Sequence, residues 1–250
     1  VRYEQVAPEV FRVEGTHVNM VLVREGRELT LIDAGWLRDA AVIERTIAAL
    51  GHRPEDLRGV LLTHAHLDHV GALNHLHRRY GIPVYASAVE VAHAHGDVHE
   101  SATPLDVVKR LTDRRTLGWA VGIACAGGLL PNTVPHARAF PAEGPLDLPG
   151  RPVPVSCPGH TSGHSGFHLP DVGVLATGDA LVTAHPTSRI AGPQPLPDFF
   201  NHDTAATLDS YAALAAVPAD TLVPGHGPVW SGGAAEAVAV ALENAPRQRK

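Results

Sequence analysis

Cysteine and lysine are nearly missing from this chain. Cys125 and Cys157 are the only cysteines among 250 residues. Two thiols cannot build a disulfide framework, so the sequence reads as a protein of a reducing, cytoplasmic setting. Lysine stands only at 109 and 250, and 20 Lys+Arg face 26 Asp+Glu, a net charge of −6. That balance lacks the basic footprint of nucleic-acid binding, and no nucleic-acid partner is expected. No apolar run approaches the roughly 20 residues of a membrane helix, and no charged-then-apolar leader opens the chain. The expectation is therefore no membrane partner and no export signal. Hydrophobic residues at 44% exclude a disordered chain. Length alone allows one or two domains. What the sequence has in excess is histidine, 17 in all. A composition rich in Arg, Ala, Gly and Pro accounts for scattered histidines, but not for where several of them stand.

Patterning alternates strand and helix. Val10 to Val13, Val18 to Val23 and Leu29 to Ile32 read as strands, with a hairpin turn at Glu25-Gly26. Asp33-Ala34-Gly35 ends the third, and an amphipathic helix follows, stopped by Gly51. The short strand Val60-Leu61-Leu62 runs into Thr63-His64-Ala65-His66-Leu67-Asp68-His69. A helix over about Val70 to Arg79 and a strand over Ile82 to Ala86 come next. Residues 87–140 break the rhythm and read as a helical insertion or lid. Strands resume at Val153 to Cys157, Gly166 to Leu169 and Val172 to Ala176. A helix from Asp203 to Val217, a strand at Thr221 to Val223 and a helix from Ala234 to Asn244 complete the chain.

The string His64-x-His66-x-Asp68-His69 carries the chemistry. Residues i and i+2 of a strand point to one side, so His64 and His66 can grip one ion. Past the strand end, Asp68 and His69 can turn toward a second. Imidazole and carboxylate suit zinc and other first-row divalent ions. Such polar groups at the end of a buried strand are costly unless something satisfies them. Three further turns place a polar residue just past an apolar strand: His160 in Cys157-Pro158-Gly159-His160, Asp179 in Thr177-Gly178-Asp179, and His226 in Pro224-Gly225-His226-Gly227. In α/β architectures ligands gather outside the carboxyl ends of strands.

From Asp33 to His226 the sequence resembles the metallo-β-lactamase superfamily of metal-dependent hydrolases. The resemblance implies an α/β fold, a four-layer αββα sandwich, with residues 1–250 forming one domain. It implies a first metal site of His64, His66 and His160 and a second of Asp68, His69 and His226. Asp179 would bridge two divalent ions, most simply zinc, with iron or manganese as alternatives. Asp33 would be a buried support. The implied reaction is hydrolysis of an ester, lactone, thioester or amide bond in a small molecule, with a hydroxide between the ions as nucleophile. Asp68 is read as both ligand and general base. No cysteine occupies a ligand position, as in the glyoxalase II and lactonase groups. Only 24 residues follow His226 (250 − 226), little room for a glutathione-binding helical region, so a glutathione thioester is disfavoured. Two rival readings are a sulfur dioxygenase holding one iron through two His and one Asp of the same set, and a nuclease of the same fold.

Other residues receive plainer readings. Trp36, Phe199, Phe200 and Asn201 are candidates for the pocket wall, and Trp119, Leu129 and Leu130 for apolar contacts of the lid. His93, His95 and His99 read as an exposed stretch, and His75 and His77 as the solvent side of a helix. His164 reads as a support or loop residue, Cys157 and Tyr211 as core. His17, His185 and His202 are candidates to approach the pocket.

Overall fold

A computed structural model describes residues 2–141 and 144–248. Among the described residues the first sheet has seven strands: β1 (Tyr3–Ala7), β2 (Val10–Glu14), β3 (Asn19–Glu25), β4 (Glu28–Ile32), β5 (Leu57–Leu61), β6 (Val84–Ala86) and β7 (Ala137–Ala139), in that spatial order. Pairing is antiparallel from β1 to β4 and parallel from β4 to β7. The second sheet holds β8 (Val153–Ser156), β9 (Ser165–Leu169), β10 (Val174–Gly178) and β11 (Thr221–Pro224), ordered β11-β10-β9-β8. The helices are α1 (Ala40–Ala49), α2 (Leu67–Val70), α3 (Leu73–Tyr80), α4 (Ala88–His95), α5 (Pro104–Val108), α6 (Arg114–Ala126), α7 (Thr204–Ala215) and α8 (Ala234–Gln248). None is long and apolar enough to cross a membrane.

Alternation along the strands creates the layers. On β3, Met20 and Leu22 join an apolar cluster with Ile43 and Ile47 of α1 and Leu73 and Leu76 of α3. Their neighbours Val21 and Val23 join a different cluster with Phe167, Val174, Ala176 and Val223 of the second sheet. Leu175 and Leu222 face the other way, onto Tyr211, Leu214, Val238 and Ala241 of α7 and α8. Period-2 strands apolar on both faces must be covered on both. The result is helix, sheet, sheet, helix: the four-layer αββα sandwich.

Several boundaries moved. β1 has exposed and half-buried residues, so it lacks an apolar signature. The helix read over Val70 to Arg79 begins earlier, as the single turn α2, and resumes as α3. The region 87–140 contains three helices, but its end forms β7, which pairs with β6. Its first part, α4, is built into the fold: Glu90 and His93 are buried.

Candidate metal centre

Five chain segments converge beyond the carboxyl ends of β4, β5, β8, β10 and β11. Asp33 follows β4 and its carboxylate accepts from the Thr63 amide and hydroxyl, both at 2.8 Å. The same carboxylate accepts from His69 Nδ1 at 2.8 Å. It thereby fixes the start and the end of the ligand string. In the turn after β11, Gly225 leaves room for Asp179: a Cβ there would stand 2.1 Å from Asp179 Oδ1. Asn19 on β3 ties this turn to the first sheet, its amide donating to the carbonyls of Pro224 (2.9 Å) and Gly227 (2.7 Å).

The seven residues singled out by sequence form two adjoining groups. His64, His66 and His160 make one; Asp68, His69, Asp179 and His226 make the other; within each, the ligand atoms lie within 4.8 Å of one another. His160 Nε2 is 3.1 Å from His64 Nε2 and 2.9 Å from His66 Nδ1. Asp179 stands between the groups: its Oδ2 is 3.6 Å from His160 Nε2 and 3.1 Å from His226 Nε2, and its Oδ1 is 3.4 Å from His69 Nε2. Asp68 Oδ2 lies 3.4 Å from His226 Nε2.

Every histidine of the set has its second nitrogen tied down. His64 Nδ1 meets Thr63 Oγ1 (3.0 Å), and His66 Nε2 donates to the Glu100 carbonyl (2.6 Å). His69 bonds Asp33, His160 Nδ1 bonds Asn201 Oδ1 (3.0 Å), and His226 Nδ1 donates to the His17 carbonyl (2.5 Å). Such outer partners fix the tautomer and aim the free nitrogen at an ion. Two inward atoms, His69 Nε2 and Asp179 Oδ1, are buried without a hydrogen-bond partner. Orphaned polar atoms in a dry interior are expensive, and a cation between them removes that cost. The nitrogen and oxygen donors therefore fit divalent metal ions.

The electrostatics agree. Burial, reinforced by neighbouring imidazoles, holds His64 well below the usual histidine range and His160 down at about 3. Burial also disfavours charge on His226, but Asp179 and Asp68 outweigh it and push that ring up to about 10. His69 is raised the same way by Asp33 and Asp179. Burial opposes ionisation of Asp68 and Asp179, yet the facing histidines keep both carboxyls below their ordinary range. The facing carboxylates favour protons on His69 and His226, and divalent ions would displace them.

Sequence reasoning missed part of the surround. Buried Glu90 accepts from the Ala65 amide and from Thr161 Oγ1, both at 2.7 Å, joining the two loops that carry His64, His66 and His160. Glu100 accepts from the Ser162 amide at 2.7 Å and faces His93 and His202, each at 3.5 Å. His93 is thus buried within this network, contrary to the exposed stretch expected of it. His75 and His77 are half-buried, bonded to Glu44 and to the Ile82 carbonyl. His164 supports Asp179 by accepting its amide proton (3.1 Å). Cys157 is buried, with burial raising its thiol to about 12, and Tyr211 is buried in the core beneath the second sheet.

The pocket residues sort themselves out. His185 packs edge-on against His226 (ring centroids 4.8 Å), and Phe200 and Trp119 extend this wall at 4.9 and 5.7 Å from His185. Trp119 is therefore the inward contact of α6, whereas Leu129 and Leu130 point to solvent. Trp36 is buried against Val18 and Ala126 rather than free at an entrance. Phe199 lies under the Arg110 guanidinium, 4.1 Å away. Asn201 orients His160, and His17 acts through its carbonyl. A cleft of about 450 Å³ opens beside His185, lined also by Arg12, His17, Asn19, Gly227 and Pro228.

With this geometry established, comparison with known proteins is direct. The metallo-beta-lactamase superfamily profile matches residues 13–226. The probable metallo-hydrolase YflN of Bacillus subtilis is 27% identical over 219 residues, 82% of this chain and 78% of that protein. A hydroxyacylglutathione hydrolase of Fuscovulum blasticum is 30% identical over 197 residues, 78% of this chain; the match spans only 56% of that protein. The fold matches a metallo-beta-lactamase of Cronobacter sakazakii with a TM-score of 0.70 and 23% identity, covering 99% of this chain and 94% of that one. The chain is a metal-dependent hydrolase of the metallo-beta-lactamase superfamily.

Proposed function

We propose that this hydrolase is dinuclear and cleaves an ester, lactone, thioester or amide bond of a small molecule. His64, His66 and His160 would hold one ion and Asp68, His69 and His226 the other, with Asp179 placed between the two groups. The observation that carries this reading is the pair of adjoining ligand groups meeting at Asp179, with every imidazole fixed from behind. Zinc is the simplest occupant of this donor set. Two divalent ions supply an acidified water near neutral pH and a Lewis acid for the carbonyl oxygen. The protein does the rest. Asp68 is the half-buried carboxylate of the set, and its lowered affinity for protons keeps it ionised at neutral pH. It orients the attacking water and accepts its proton. His185, Phe200 and Trp119 wall the reacting bond off from bulk water. We further read the chain as one domain, because its ligands come from both sheets, and as cytoplasmic, because Cys125 and Cys157 are unpaired.

The test is metal analysis together with a substrate panel of lactones, thioesters, RNA and single-stranded DNA. About two zinc ions per chain and turnover of a lactone or thioester support the reading. One iron with oxygen uptake on a persulfide makes the protein an oxidoreductase instead, and turnover of the nucleic acids makes it a nuclease. Asp68→Asn should abolish most turnover while the chain still binds metal; full activity at full metal content would remove Asp68 as the base.

A further inference from the structure

We propose that His185 is a substrate-binding residue, presenting a fixed hydrogen-bond donor to an oxygen acceptor on the substrate beside the second metal site. This assignment rests on the hydrolase reading above and extends it to substrate class. The argument starts from the tautomer. His185 is buried, and its Nδ1 lies 3.2 Å from the Thr187 amide and 2.7 Å from Thr187 Oγ1. A backbone N–H can only donate, so Nδ1 must accept and carries no proton. The proton of the ring therefore sits on Nε2. Among the described residues Nε2 bonds no protein acceptor, and it is absent from the buried atoms left without partners. His185 lines the open cleft of about 450 Å³. The ring is restrained by packing edge-on against His226 and Phe200, with Trp119 tilted beside it.

The donor thus stands one ring from His226, and Gly227, the residue after it, lines the same cleft. A substrate group that runs from the His226 side into that cleft passes His185, in the company of Arg12, Glu14 and His17. An acyl chain or leaving group with a carbonyl, hydroxyl or ether oxygen at that point satisfies the donor. An all-carbon chain of equal length leaves it unpaired and desolvated, which selects against it. The favoured class is therefore an oxygen-bearing acyl compound, not a plain fatty acyl ester.

Two measurements test this on the zinc-loaded full chain. Long-range proton–nitrogen NMR of ¹⁵N-histidine protein should show His185 protonated at Nε2; a proton on Nδ1 would overturn the assignment, whatever the enzyme's activity. Calorimetry then compares methoxyacetohydroxamate with butyrohydroxamate, which differ by an ether oxygen in place of a methylene. The wild type should prefer the former by about threefold or more, the range of one hydrogen bond. His185→Phe, which keeps the ring packing, should bring the ratio to about one. His185→Gln, which restores a donor near the Nε2 position, should recover the preference. A ratio indifferent to His185→Phe refutes the subsite. Failure of the hydrolase reading looks different: no zinc uptake and no binding of either hydroxamate, with the NMR result still deciding the His185 tautomer.

Discussion

Asp33 shows how much one side chain can hold. Its backbone is left-handed (φ 61°) although it is not glycine, a conformation that costs on the order of 1 kcal/mol or more and persists only where surroundings enforce it. The enforcement is the set of three hydrogen bonds to Thr63 and His69. Asp33→Ala should therefore weaken the second ion specifically, by roughly 10- to 100-fold, the usual effect of losing an outer partner. Competition against a chromophoric chelator reads this directly, and unchanged affinity would show that His69 needs no such support. The cluster of candidate ligands was legible in the sequence, because three histidines and an aspartate crowd into six positions at a strand end. Glu90, Glu100 and Asn19 were not. Each looks like an ordinary polar residue, and its role exists only through partners 25 to more than 200 positions away.

At the scale of elements, the region 87–140 teaches most. Its break in rhythm marked it as an addition, and helical content followed. Its attachment did not follow from pattern, because β7 is three residues long and α4 is held by buried polar Glu90 and His93 together with a small apolar contribution from Val91 and Ala94. The stretch between α4 and α5 works as a strap. Glu100 holds His66 through its carbonyl and the loop of His160 through its carboxylate. Glu100→Ala should free that loop and lower occupancy of the first site before the second, with Glu100→Gln partly restoring it. Cobalt substitution followed by absorption spectroscopy distinguishes the two sites; equal loss from both would mean the strap is general scaffolding. β1 escaped notice for a different reason: an exposed edge strand needs no apolar alternation.

For the whole molecule, the decisive fact is that the candidate ligands come from both sheets. His64, His66, Asp68 and His69 follow the first sheet, whereas His160, Asp179 and His226 belong to the second. Bound ions therefore fasten the halves together, and stripping them should lower the melting temperature by on the order of 10 °C for tight sites. The pH dependence has a definite sign. His226 in the ion-free fold is raised to about 10, above its unfolded value. Its protonated form therefore stabilises the stripped protein fully below about pH 6.5, and that support is lost as pH rises through about 10. Metal binding must displace this proton and strengthens as pH rises. The gap in melting temperature between loaded and stripped protein should accordingly widen from about pH 6 to 9. A gap that narrows over that range would contradict the proton assignment.

The fold and the cluster of candidate ligands were readable because both rest on short-range signals, strand alternation and residues at strand ends. Trp119, His185 and Phe200 were each candidates, but their assembly into one wall was not readable, because three separate loops and helices build it. The most direct test of the account is native mass spectrometry of the purified chain before and after exhaustive chelation, with hydrolytic activity followed in parallel. The account predicts two divalent ions per chain, loss of both with loss of turnover, and recovery of both on adding zinc. Undiminished turnover in protein stripped of metal would contradict it.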